Sequence, residues 1–445
     1  MSILNYQEKL LAQGKEYGFE AMEVYYEKTS SFGCGVFNGE LEHYETAEAG
    51  GLSFRGLIDG KMGYAYTEKI DEDSIQFLLE RAKNNAGVLE SDEMDEIFEG
   101  SPAYQNEDWF SESLSKVTIP EKISLMLEIE KKISEYNPKI KLVNGRLKDM
   151  AGEKAIANSK GLALHERQNY IYLYFTVVVE DGSEKKSANT FKITRDFSKW
   201  NTDEIAKEAA EEVLKSLNEK SVANKKYPVL FRRDAAAAFI ATFNSIFSAE
   251  EAQFGQSLLA GKSGEKIAAD TVTFIDDPFH PLGLSNRNFD SEGVASQELT
   301  VVENGVLKTL LHNRKTAKKD GVETTGHAYK SYKGTLSVAP SNFYVKPGVK
   351  EYEQLISGLQ EGILITELSG LHSGANPVSG DFSVAARGYY VKDGKIEAPT
   401  TLMTIAGNFF TVLNDVVEAG SDLEFGPSGV GSPSLLVKGL SVTME

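Results

Sequence analysis

Residues 21–67 read AMEVYYEKTSSFGCGVFNGELEHYETAEAGGLSFRGLIDGKMGYAYT. Ala21–Lys28, Phe32–Phe37, Leu41–Thr46, Gly51–Leu57 and Met62–Thr67 read as short strands, and Phe32–Val36 shows the two-residue alternation of one. Asn38-Gly39 and Asp59-Gly60 fall between these runs, and both dipeptides tolerate the positive φ that a tight hairpin demands. Helices flank the run. Residues 4–17 form one that stops at Gly18, and Ile75, Leu78, Leu79 and Ala82 follow the i, i+3, i+4, i+7 spacing of another. The stretch therefore predicts a curled antiparallel sheet with helices against one face.

Downstream the pattern repeats with different punctuation. Residues 88–113, Val88 to Ser113, are rich in Glu, Asp and Ser and read as a solvated acidic linker. Thr118 with Glu121 has capping-box spacing and Pro120 suits a first turn, so a helix begins there and turns Ile119, Ile123, Met126 and Ile133 inward. Strands are expected at Lys141–Leu147, Lys154–Asn158, Tyr170–Glu180 and, past the Asp181-Gly182 turn, Ser187–Ile193. A helix over Asp203–Leu217 buries Ile205, Ala209, Val213 and Leu217. From Tyr227 the character changes. An apolar helix, Asp234–Ala252, precedes strands and Gly-rich turns, with hairpins at Asn304-Gly305 and Asp393-Gly394 and a second helix at Ile405–Val417. The class is α+β. An N-terminal sandwich-like region of antiparallel sheet and helices leads into a β-rich C-terminal domain with few helices. The expected divisions are 1–87, the linker 88–113, 114–226 and 227–445.

Composition narrows the function classes. A chain of 445 residues exceeds one compact core. Its formal net charge of -19 argues against general nucleic-acid binding, which needs clustered Lys and Arg. The single cysteine, Cys34, sits inside an alternating segment and reads as a small buried side chain. The N-terminus has no basic region followed by an apolar run, and nowhere do about 18–20 apolar residues follow one another as a membrane span requires. A cytoplasmic location without membrane attachment is the resulting expectation.

The usual catalytic signatures are missing. The six histidines are His43, His165, His280, His312, His327 and His372, and no two are spaced to bind zinc from one helix face. No Gly-x-Ser-x-Gly elbow occurs; Ser428 in Gly426-Pro427-Ser428-Gly429 reads as a turn. Gly255–Ser263, GQSLLAGKS, has one residue too many between its glycines for a phosphate loop and follows a helix rather than a strand. The densest polar segment is Ser369–Ser383, SGLHSGANPVSGDFS. Its glycines allow close backbone approach, and His372, Asn376 and Asp381 offer hydrogen bonds. Two readings stay open: a long loop whose polar groups cap its own turns, or a loop that lines a cleft or subunit interface with His372, Asn376, Asp381 and Phe382.

Several segments in register resemble the TldD/PmbA family. They are Glu265-Lys266-Ile267, Phe289-Asp290-Ser291-Glu292-Gly293, Glu303-Asn304-Gly305-Val306-Leu307, Asn376-Pro377-Val378-Ser379-Gly380-Asp381-Phe382-Ser383, Ile405-Ala406-Gly407-Asn408, Ser432-Pro433-Ser434 and Val437-Lys438-Gly439-Leu440. An older name for this family, modulator of DNA gyrase, reflects genetic association rather than DNA binding. The resemblance implies two branches. TldD-like members carry a zinc helix, His-Glu-x-x-x-His, and a late Cys; PmbA/TldE-like members share the fold without them. The two branches pair as a heterodimer that degrades small or unfolded peptides and matures some peptide antibiotics.

Aligned on these segments, the zinc helix falls on Ile240-Ala241-Thr242-Phe243-Asn244-Ser245. Ile240 and Ser245 stand for the two His, Ala241 stands for the Glu, and no Cys occurs near Leu423 or Glu424. Neither a metal ion nor an organic cofactor is expected. The resemblance thus implies a PmbA/TldE-like subunit, not catalytic by itself, partnered with a TldD-like zinc metallopeptidase chain and a peptide substrate. The alternative is a stand-alone homodimer that binds peptides or regulates.

Overall fold

A computed structural model of the chain describes residues 2–88 and 96–444. Two compact units emerge. The first comprises Met1–Leu217 with two later returns of the chain, Ser291–Ala295 and Lys330–Leu336; the second holds the remainder from Asn218.

In the first unit the main elements are α1 (Ile3–Glu16), β1 (Ala21–Phe37), β2 (Glu40–Ile58), β3 (Lys61–Thr67), α2 (Glu72–Val88), α3 (Ile119–Tyr136), β4 (Ile140–Asn158), β5 (Ala163–Asp181), β6 (Glu184–Thr194) and α4 (Thr202–Leu214), beside shorter helical turns. The strands form one antiparallel sheet in the order β3-β2-β1-β4-β5-β6. Pairs of strands that look separate in sequence are continuous here. Ala21–Lys28 and Phe32–Phe37 are both β1, Leu41–Thr46 and Gly51–Leu57 both lie in β2, and Lys141–Leu147 and Lys154–Asn158 both lie in β4. The reason is that Thr29-Ser30-Ser31 interrupts the apolar rhythm but not the ladder: Ser30 still pairs with Glu48 and Ala151. Backbone hydrogen bonding, which side-chain pattern does not report, carries the strand across. The hairpin turns match expectation, with Asn38 and Gly39 at φ 54° and 76° and Asp59 and Gly60 at 50° and 70°.

Two cores lie along this sheet. Met22, Val24 and Tyr26 pack with Tyr6 and Leu10 of α1 and Leu78 and Leu79 of α2. Phe32, Cys34 and Val36 pack with Met126, Ile129 and Ile133 of α3 and Ile205 and Ala209 of α4. All six strand residues have even numbers, so strand alternation places both helix pairs on the same face of β1. Burial pushes the Cys34 thiol up to about 11, only partly countered by Lys122, consistent with an inert packed side chain. The α3 start carries the full capping box between Thr118 and Glu121. On the opposite face of β1, Glu23 meets the returning segment: Arg55 donates twice to its carboxylate at 2.9 Å, and Lys330 Nζ lies at 3.4 Å.

This single sheet runs through both 1–87 and 114–226. The acidic stretch 88–113 falls in part on residues 89–95, outside the described residues. From residue 96 onward it is largely exposed but anchored to the unit, with Ile97 buried and Asn158 Nδ2 donating to the Phe98 carbonyl at 2.6 Å.

The second unit contains β7 (Lys225–Phe231), α5 (Arg233–Phe243), β8 (Glu361–Ser369), β9 (Asp381–Lys392), β10 (Met403–Asn408) and β11 (Leu435–Met444) among shorter elements. β7 runs parallel to β8, and antiparallel pairing then links β8 to β9, β9 to β10, β10 to β11 and β11 back to β7. Five strands thus close on themselves, and closure leaves the ring without a free edge. A second small sheet contains Phe274–Asp276, Leu299–Glu303 and Phe343–Val345. The fold class is α+β with a strand-rich second unit.

Two helix expectations need correction. Asp234–Ala252 is not one helix: α5 ends at Phe243, a 3-10 turn spans Asn244–Phe247, and Ser248 caps a short helix at Ala249–Gln253 by accepting from Glu250 N and Glu251 N. A serine at that point competes for the backbone and restarts the helix. Ile405–Val417 likewise begins as strand β10. Asn408 then accepts from Phe410 N and confines the helix to Phe409–Asn414.

Candidate functional site

α5 follows β7 after a single residue, Arg232, whose guanidinium is held by Asp234 at 2.8 and 2.7 Å. Its inward face is aromatic. The Phe239 ring lies 5.4 Å from Phe231 and 5.0 Å from Phe382, and Phe243 stacks on Phe409 at 4.5 Å. Ile240 is buried in the same core, Ala241 is half-buried against it, and Ser245 is exposed in the 3-10 turn beyond the helix end. These three residues therefore do not converge.

The loop that joins β8 to β9 passes beside α5 through its short Leu371–Gly374 turn. Gly370, at φ 74°, makes the left-handed entry that turn needs. Asn376 organises the remainder of the loop. Its side-chain oxygen accepts from Val378 N at 3.0 Å and Ser379 N at 3.3 Å, and its backbone exchanges hydrogen bonds with Asp381 and Gly380 at 2.8 Å. Asp381 accepts from Asn408 Nδ2 at 2.9 Å, and this bond, with one involving Ser379, holds its carboxyl below the usual range. Asn376 and Asp381 thus serve the loop's own turns, His372 lies in its first turn, and all three are exposed.

Phe382 departs from the expectation of a loop-lining group. β9 begins at Asp381, so alternation sends Asp381 and Ser383 outward and Phe382 into the aromatic core beside Phe239.

Near the expected late-Cys position, Glu424 Oε2 is 2.5 Å from Arg233 Nε at the start of α5, and Asp422 accepts from Ser434 N and Oγ at 2.9 and 2.7 Å. A zinc site needs several nitrogen, sulfur or carboxylate donors about 2 Å from one point. Ile240 and Ala241 have hydrocarbon side chains and Ser245 offers one neutral hydroxyl, so these residues do not fit zinc. Among the described residues no three His, Cys, Asp or Glu side chains are grouped to hold a metal.

One polar network in this unit was not legible from spacing. His327 Nε2 lies 3.0 Å from Asp276 Oδ1 and His327 Nδ1 lies 2.8 Å from Thr325 Oγ1, while Ser341 donates to Asp276 through both its backbone N–H, at 2.8 Å, and its hydroxyl. Every member is buried. Burial alone would raise the Asp276 carboxyl; His327, Arg287 and Ser341 outweigh it and hold it below its ordinary value. The partners His327 and Ser341 lie 51 and 65 positions from Asp276 in the chain. The geometry of this buried Asp-His-Thr set is that of a pin between strand and loop.

Comparison with known proteins agrees with this architecture. The chain is of a metallopeptidase-like family, matching PmbA/TldA metallopeptidase domain 1 over residues 22–86, the central domain over 112–217 and the C-terminal domain over 224–444. A solved structure from Thermotoga maritima, described as a modulator of a DNA gyrase, is 32% identical with a TM-score of 0.92 and covers 99% of this chain and 100% of that one. The chain belongs to the PmbA/TldD family. Haemophilus influenzae has a relative named metalloprotease PmbA homolog, 26% identical over 99% of this chain and 98% of its own. TldE from Thermococcus kodakarensis shares the fold, with a TM-score of 0.90 at 24% identity over 98% and 100% of the two chains. No helix among the described residues is long and apolar enough to cross a membrane.

Proposed function

We propose that this chain is a PmbA/TldE-type subunit of a two-chain zinc metallopeptidase that acts on small or unfolded peptides, with the metal and its chemistry supplied by a TldD-like partner. One observation carries the reading. Where the family's zinc helix would offer two imidazoles and a carboxylate, this chain has Ile240 and Ala241 packed on aromatic side chains and an exposed Ser245. Such a helix contributes packing and no Lewis acid. The loop 370–382, with His372 exposed in its first turn, is the element proposed to meet the partner or the peptide.

The test is to combine the purified chain with a family member that has the complete zinc helix. Peptide hydrolysis should rise well above that of either chain alone, and a mixed complex should elute on gel filtration. Neither rate change nor complex would end this reading, and a peptide-binding homodimer would then account for the chain better.

A further inference from the structure

We propose that the outer edge of β2, from His43 to Gly50, takes up an extended peptide bearing basic side chains as an additional strand. This rests on the peptide-handling reading above and gives it a binding element on the first unit.

The edge is free and long. β1 pairs with one side of β2 along its whole length, but β3 pairs with the other side only from Leu52 to Ile58. Among the described residues no strand is paired with the outer side of Glu40–Gly50. All ten residues from Glu40 to Ala49 are exposed, including Leu41 at 42% and Tyr44 at 52%. The register of His43–Gly50 on Gly35–Lys28 is unbroken, because the one irregularity lies beside Val36 at the hairpin end. Eight residues at about 3.4 Å each give roughly 27 Å of unpaired N–H and C=O groups.

Natural sheets blunt such edges with charged side chains, lysine above all, with proline or with bulges, and here the charges are all acidic. Residues 43–50, HYETAEAG, contain no lysine and no proline. What they contain points to the occupant. Residues 40–50 carry Glu40, Glu42, Glu45 and Glu48 and neither Lys nor Arg. The cations that meet them lie on strands farther in: Lys28 is 3.0 Å from Glu48, Arg146 is 3.2 Å from Glu42, and Lys148 is 3.8 Å from Glu45. These pairs are solvent-exposed and contribute little, so an incoming ammonium group can share the carboxylates. The rim of the edge is acidic, and the chain's net charge of -19 draws cationic ligands towards it. Main-chain pairing with an acidic rim suits an extended basic segment whose detailed sequence matters little. Self-pairing of two copies would set this acidic rim against its own like.

The probe is a fluorescein-labelled ten-residue Lys-Thr repeat, titrated against the full chain at low salt, with a Glu-Thr repeat as counterpart. The basic peptide should bind and the acidic one should not. Glu45→Lys with Glu48→Lys should weaken binding tenfold or more, whereas Glu16→Lys with Glu80→Lys, an equal charge change on exposed helix positions, should alter it less than twofold. Hydrogen exchange should slow within residues 43–50 when the basic peptide is added. Absence of binding, equal loss in both double variants, or protection elsewhere would each overturn the inference. So would protection of 43–50 that rises with protein concentration alone, since a second copy would then occupy the edge. Partner-dependent hydrolysis without peptide protection at this edge would remove the inference and leave the proposed function standing.

Discussion

Asp276 shows how a single buried carboxylate ties distant segments together. Its two oxygens engage His327 and Ser341, residues that lie 51 and 65 positions later in the chain, and all three are buried. Removing one member of such a set leaves the others desolvated and unpaired. Asp276→Ala should lower stability by about 3 kcal/mol, read from the urea midpoint at neutral pH. The acid dependence has a definite sign. Asp276 in the second unit and Glu23 in the first both have folded-state values below the ordinary ones; for Glu23, burial raises the value, and Arg55 and Lys330 more than reverse it. The stability they contribute is complete above the ordinary carboxylate range near about 4 and is lost as pH falls through the folded values below it. The urea midpoint should therefore fall steeply under acid conditions, with a shallower fall in Asp276→Ala. A midpoint that stays level through that range would contradict these pairings.

At the scale of elements, α5 and the loop 370–382 carry the functional argument. α5 is short because the 3-10 turn at Asn244–Phe247 and the Ser248 cap interrupt it, and its inner side is filled by phenylalanines. Restoring the ligand letters would not restore a site. Ile240→His, Ala241→Glu and Ser245→His together should yield a protein that binds no stoichiometric zinc by metal analysis. It should also melt several degrees lower, because a polar ring in place of Ile240 is desolvated among aromatic side chains at a cost of about 1–3 kcal/mol. Tight zinc in that variant, with stability retained, would show that the helix keeps a latent metal geometry. In the loop, most of the polar chemistry is spent locally, since Asn376 and Asp381 close turns and anchor Asn408. His372, Asn376 and Asp381 are all exposed there, and Phe382 alone of the four chosen residues is buried.

At the scale of the whole molecule, family membership and charge act together. The three family domains account for most of the chain. The gyrase wording attached to the Thermotoga maritima relative describes that protein and implies no DNA contact by this one. With 66 acidic and 47 basic residues, the protein should leave the mobility of a random-sequence duplex unchanged at about 0.15 M salt. A retarded, salt-sensitive band there would contradict the charge argument.

Local chemistry was readable directly. Hairpin turns at Asn38-Gly39 and Asp59-Gly60, the Thr118 capping box and the apolar faces of the helices depend on neighbours within a few residues, and the amino-acid sequence determined them unaided. The missing ligands at Ile240, Ala241 and Ser245 were also a matter of sequence, because two hydrocarbon side chains and one neutral hydroxyl do not supply the imidazole and carboxylate groups of a zinc helix wherever they lie. Strand length, the inward turn of Phe382 and the Asp276-His327 pair were decided only in three dimensions. Most of these depend on partners scores or hundreds of residues away, where hydrogen-bond ladders and burial prevail over local pattern.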